Sequence, residues 1–165
     1  MREKTNCLKS IIGLVLILLN VGLFAQQKKN YDKKMQTDFI NEAIDQWHGL
    51  AAVGDTSYFD FFAEDSFYLG TDAKEVWTLQ EFKAFANPYF LRGSAWNFKT
   101  KGRDIFIGEY GHYAWFHEKL DTWMGYCRGT GVLEKQGDEW KLKHYSLTVL
   151  IPNSKIKEYV NSIKD

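Results

Sequence analysis

The chain has 165 residues, of which 45% are hydrophobic, 25% charged and 16% aromatic, enough apolar material for one domain with a real core. Lysine plus arginine equals aspartate plus glutamate at 21 each, so the basic excess expected of a nucleic-acid-binding surface is missing.

The chain opens with Arg2, Lys4 and Lys9. A stretch from Ile11 to Phe24 follows, apolar except for Asn20, and Ala25 precedes the polar run Gln26-Gln27-Lys28-Lys29-Asn30. A positive start, a short apolar middle and a small residue at the end describe a secretory signal peptide over residues 1–25. The apolar stretch is shorter than the roughly 20 residues a membrane-spanning helix needs, which makes an uncleaved anchor the alternative. Leu23 is larger than the residue usual three places before a cut, so the cut itself is not fixed. Cys7 precedes the apolar run, where a lipidated cysteine would follow it. Cleavage after Ala25 leaves Cys127 alone and forbids an intramolecular disulfide, and a buried, inert thiol in a strand is its expected state. The expected location is outside the cell, secreted or periplasmic, with no membrane association after cleavage.

Residues 26–36, with Lys28, Lys29, Lys33 and Lys34, read as a solvated polar linker. The domain proper is expected over 37–151, followed by a tail over 152–165. Thr37 is placed to cap a helix carrying Phe39, Ile40, Ala43, Ile44, Trp47, Leu50 and Ala51 at helical spacing, with Gly54 to end it. Asp55 or Thr56 then caps a short second helix through Phe62. Ser66 to Gly70 reads as a strand, Thr71-Asp72-Ala73 as a turn and Lys74 to Trp77 as a second short strand. Thr78-Leu79-Gln80-Glu81 is a capping box that opens a third helix, kinked or ended at Pro88.

From Ser94 the period changes to two. Four strands are expected, at about 94–108, 112–123, 126–135 and 139–151. Short glycine-bearing connections make neighbours antiparallel. Gly102 inside the first strand marks a bulge or bend. The predicted fold class is α+β, a cone-shaped curved antiparallel sheet packed by three N-terminal helices, with a ligand cavity at the open end.

If Gln136-Gly137-Asp138 forms the last loop, Thr130 faces His144 and Arg128 faces Ser146. Trp140, Leu142, His144, Ser146 and Thr148 then share a face with Val132, Thr130, Arg128 and Tyr126, and the two apolar members favour the inside. A slip of one residue inverts every assignment. Across Met124-Gly125 the same counting puts Asp121 beside Arg128, with His117 and Trp115 continuing the face.

Three stretches carry a family likeness: 61–72 (Phe61-Phe62-Ala63-Glu64-Asp65-Ser66-Phe67-Tyr68-Leu69-Gly70-Thr71-Asp72), then Glu75-Val76-Trp77, then Arg128 to Leu133 with Asp138 to Ser146. In order and spacing, over roughly Thr37 to Ile151, the chain resembles the SnoaL-like branch of the nuclear-transport-factor-2-like superfamily. The resemblance implies a cone-shaped α+β barrel, usually a homodimer through the outer sheet face. Members include isomerases, dehydratases, cyclases and non-catalytic modules, so the fold alone does not name an activity. In the enzymes an Asp or His in the cone acts as acid or base; Asp72 and His144 are the matching positions. Some relatives carry a His two places further along, where this chain has Ser146.

The predicted pocket set is Trp47, Tyr68, Asp72, Tyr126, Arg128, Thr130, Trp140, His144 and Ser146, with Tyr68 or Tyr126 as hydrogen-bond donors and Asp72 or His144 as the candidate catalytic base. Each has a plainer role: Asp72 suits a turn cap, and His144 suits an interior bonded to Thr130 or Ser146. His48, His112, His117 and His144 offer no metal-ligand spacing, so neither metal nor other cofactor is expected. The favoured expectation is an exported protein that binds a small, partly apolar molecule without turnover. A lyase or isomerase and a structural dimer module are the alternatives. Polar groups converging in open space would distinguish them.

Overall fold

The computed structural model of the chain describes residues 32–164. The proposed signal segment lies outside the described residues. The chain divides after Asp38 into two units, and the sheet and its core lie wholly in the second.

Helix α1 runs over residues 32–53, so positions 32–36, expected as linker, are helical. Thr37 is not its cap; its hydroxyl donates to the Lys33 carbonyl one turn back. Ile40, Ile44, Trp47 and Ala51 fall on one stripe of α1 and are buried. Gly54, at φ 67°, closes the helix: its amide bonds to Ala51 O and the Asp55 amide to Leu50 O. A side chain here would also strike the Phe90 carbonyl at 2.7 Å.

Asp55 caps a 3-10 helix, Thr56–Phe61, by accepting from the Ser57 amide at 2.9 Å. Strand β1, Phe62–Leu69, starts four residues earlier than expected, and β2 is Val76–Thr78. The capping box at Thr78 and Glu81 is present and opens α2, Leu79–Phe90. Pro88 neither ends nor breaks it, since the helix continues two residues past it. Strands β3 (Lys99–Ile107), β4 (Tyr113–Thr122), β5 (Gly125–Gln136) and β6 (Glu139–Val149) follow as a meander. The 3-10 turn Asn153–Lys155 and α3, Ile156–Ser162, finish the described chain.

The six strands form one curved, unclosed sheet in the order β2-β1-β6-β5-β4-β3. It is mixed rather than antiparallel, because β1 pairs parallel to β6. No hairpin joins these two strands, so no short turn dictates their relative direction. A register shift at Lys101, just before Gly102, fits the expected bulge in β3.

A second shift was not foreseen. The β5–β6 turn is the two-residue Gly137-Asp138, pairing Gln136 with Glu139 and Leu133 with Leu142, and Lys143 is then bulged so that Val132 pairs with His144. Trp140 and Leu142 point inward as expected, but beyond the bulge the inward positions are Tyr145 and Leu147. His144, Ser146 and Thr148 turn to the outer face, together with Tyr126, Arg128, Thr130 and Val132. In the neighbouring hairpin Asp121 pairs with Tyr126 and Lys119 with Arg128, so the expected Asp121–Arg128 pair does not form. Asp121 instead meets Lys101 at 3.2 Å.

Candidate functional site

The inner face holds an aromatic core. Trp47 stacks on Tyr58 at 5.0 Å and meets Tyr145 edge-on at 5.0 Å, while Tyr68 stacks on Phe82 at 3.9 Å. Burial pushes the Tyr145 hydroxyl well above the usual tyrosine range, and the nearby Glu118 charge pushes it the same way. The same burial raises Tyr68 and Tyr58.

Within this core lies a charged cluster. On β4 the inward positions are Ala114, Phe116, Glu118 and Leu120, so an acid occupies an apolar parity. Glu118 Oε1 lies 2.8 Å from His48 Nε2 and accepts the Tyr145 hydroxyl at 3.2 Å. Its Oε2 accepts Arg103 Nε at 3.0 Å and Nη2 at 2.9 Å. An ionised carboxylate only accepts, so His48 Nε2 carries a proton toward it. Arg103 from β3 also donates to Asn41 Oδ1 at 2.8 Å and pairs with Asp45 at 2.9 Å, tying α1 to the sheet. Burial raises the Glu118 pKa, but the His48 hydrogen bond and the charges of His48 and Arg103 outweigh it and hold the carboxyl below the usual glutamate value.

Two strand glycines make the room. A side chain at Gly129 would meet the Tyr145 hydroxyl at 2.3 Å and Glu118 Oε1 at 2.8 Å, and one at Gly131 would meet the Phe116 ring at 2.4 Å. Three residues make four polar contacts, two of them from Arg103, and these use the roughly four acceptor positions of the Glu118 carboxylate, so none is left over for a substrate proton.

Among the described residues, open space lies elsewhere, in three clefts that Asp60 borders. A cleft of 260 Å³ runs between α1, the 3-10 helix and the start of β6. Its walls are Phe39, Ala43, Trp47, Leu50, Phe61 and Trp140, and its charged rim is Asp60, Glu139 and Lys141.

The structure brings only part of the predicted site together. Trp47 and Trp140 line the cleft, while Tyr68 is buried in the core beside Tyr145. Asp72 lies in the exposed turn after β1, where its carboxylate accepts the Lys74 amide at 2.9 Å. Tyr126, Arg128, Thr130, His144 and Ser146 form part of the outer face, away from the core they were expected to line. Lys119 Nζ sits 3.9 Å over the Tyr126 ring. Sequence reasoning missed Glu118, Arg103 and His48. The legible signal was a lone acid at the parity of Ala114, Phe116 and Leu120, in a strand next to Gly129 and Gly131. Among the described residues, no group of three or more His, Cys, Asp or Glu is placed to hold a metal ion.

The outer face has its own pattern. Phe106, Trp115, Val132, His144 and Phe67 lie in one lateral row across β3, β4, β5, β6 and β1. Phe106, Trp115 and Phe67 are each more than 40% exposed.

Comparison with known proteins bears on this geometry. An NTF2-like protein of unknown function from Pseudomonas putida shares 14% identity at a TM-score of 0.61, over 74% of this chain and 92% of that one. An NTF2-like protein from Cytophaga hutchinsonii shares 14% identity at a TM-score of 0.59, over 70% of this chain and 98% of that one. The association domain of C. elegans CaMKII shares 14% identity at a TM-score of 0.55, over 70% and 97%. At these identities the likeness concerns the fold alone. No curated protein matches the sequence. The model of the SnoaL-like domain matches residues 40–152, from the buried stripe of α1 to just past β6, and the chain therefore belongs to the SnoaL-like domain family.

Proposed function

We propose that this protein is an exported, non-catalytic SnoaL-like module that holds a small, partly apolar molecule in the cleft between α1 and β6. The observation that carries this reading is where the open space lies. On the inner face the aromatic residues Trp47, Tyr58, Tyr68 and Tyr145 are buried, and the Glu118 carboxylate is engaged by His48, Tyr145 and Arg103. A general base needs a free position facing the substrate. The cleft instead offers apolar walls with Gln46, Ser57, Asp60, Glu139 and Lys141 as the polar groups that could orient a small molecule. A lyase or isomerase working through Asp72 or His144 is less well supported, because Asp72 caps its own turn and His144 faces outward.

A second reading concerns assembly. The lateral row from Phe106 to Phe67 leaves aromatic surface in water, as interaction faces do. It supports a homodimer through the outer face, and the CaMKII association domain shows the same fold in a module named for association. Export rests on the positive start, the short apolar stretch and Ala25.

Native mass spectrometry of protein recovered from outside the cytoplasm tests all three parts. The expected species is a dimer of chains beginning near Gln26 with a small molecule retained. Turnover of a carbonyl or hydroxylated substrate abolished by His144→Ala would overturn the non-catalytic reading. A monomer at micromolar concentration would overturn the dimer, and an intact N-terminus would overturn cleavage.

A further inference from the structure

The charge on the cleft rim points to a class of ligand. Three charged residues line it: Asp60, Glu139 and Lys141. Lys141 is already committed, with Nζ 2.7 Å from Glu139 Oε2 and donating to the Asp60 backbone carbonyl at 2.9 Å. The Asp60 carboxylate has no ion-pair partner among the described residues, so one negative charge stands unbalanced over an apolar floor. Asp60 also borders two adjoining clefts of 660 and 510 Å³. The adjoining space contains Glu64, Asp65 and Lys83; Asp65 is paired with Lys143, and Lys83 sits 5.8 Å over the Phe59 ring. A head group leaving the cleft past Asp60 therefore enters space with room and no excess of positive charge.

We infer that the cleft takes a small organic cation: an apolar body seated on Trp47, Leu50, Phe61 and Trp140, with a protonated amine directed at Asp60. The inference rests on the cleft reading above and names the charge of its ligand. The size agrees. A cavity of about 150 Å³ accommodates benzene, so 260 Å³ holds a one-ring body with a short chain. Apolar contact supplies most of the affinity, and the exposed carboxylate supplies selection among otherwise equal molecules.

Three matched probes test this: 2-phenylethylammonium, 2-phenylethanol and 3-phenylpropanoate, titrated at low salt into the intact protein and its Asp60→Asn variant, with amide chemical shifts as the readout. The expected result is that all cleft binding moves Ala43, Leu50 and Phe61, that the ammonium binds about threefold tighter than the alcohol and that the carboxylate binds most weakly. Asp60→Asn should bring the ammonium and the alcohol to equal affinity while keeping the thermal midpoint. If the carboxylate binds as tightly as the ammonium, or the variant keeps the preference, the cation inference fails and the cleft stands. If no probe moves the cleft residues, the cleft reading fails and the inference with it.

Discussion

The two faces of the one sheet carry similar side chains and treat them in opposite ways. On the inner face Phe116, Tyr68 and Tyr145 are sealed under α1 and α2, and the charged residues among them are neutralised in place. On the outer face Phe106, Trp115, Phe67 and Tyr126 remain about half exposed, interleaved with His117, Lys119 and Arg128, which stay in water. Charge is thus tolerated inside only where every hydrogen-bonding position is met, whereas outside it needs no partner. Substitutions inside should therefore act on folding, and substitutions outside on the proposed association.

The largest effect should come from Glu118→Ala. It leaves the Arg103 guanidinium, whose side chain is 2% exposed, without its buried counter-charge. Urea denaturation should show a loss of about 3–5 kcal/mol. A loss below about 1 kcal/mol would mean that the cluster does not hold α1 to the sheet.

Next come the glycines. Gly131→Ala places a methyl group 2.4 Å from the Phe116 ring and should cost about 1–3 kcal/mol. Gly102→Ala, which meets open space, should be nearly neutral by the same measurement.

Acid should weaken the inner face through Glu118. The folded pKa of Glu118 is lowered, so its contribution to stability is fully present above the ordinary glutamate value of about 4.3 and is lost as pH falls through the lower folded value. Thermal midpoints measured from pH 7 down to pH 3 should fall below about pH 4.5, and the fall should be shallower in Glu118→Gln.

On the outer face, Trp115→Asp should change the stability of the monomer by no more than about 0.5 kcal/mol, yet shift sedimentation toward the monomer. A large loss of stability with no change in mass would make Trp115 a folding residue and erase the contrast. The smallest effect is expected for His144→Ala, which keeps the fold and slightly weakens association.

Much of the architecture was legible in the chain. The stripe Ile40, Ile44, Trp47, Ala51 marks α1, and Thr78 with Glu81 marks the start of α2 by the capping bonds they make. The change of period after Ser94 marks the meander. These features are local: each depends on residues within one or two turns. The candidate site was less legible. Trp47 and Trp140 could be placed facing inward because bulky apolar residues need little more than the helix or strand period to place them. Arg103, Glu118 and His48 come from three separate elements, and nothing within any one of them says that the three meet.

The sequence by itself determined the family, the number and order of the elements in the meander and, between bulges, which residues of each strand share a side. Tertiary structure alone decided which side is the inside. In a strand, parity assigns residues to two faces without saying which is buried, and one extra residue exchanges the faces. The bulge at Lys143 does this within β6, sending Tyr145 into the core and His144 out. It persists because Tyr145 then reaches Glu118, a contact between β6 and β4 that no local rule contains.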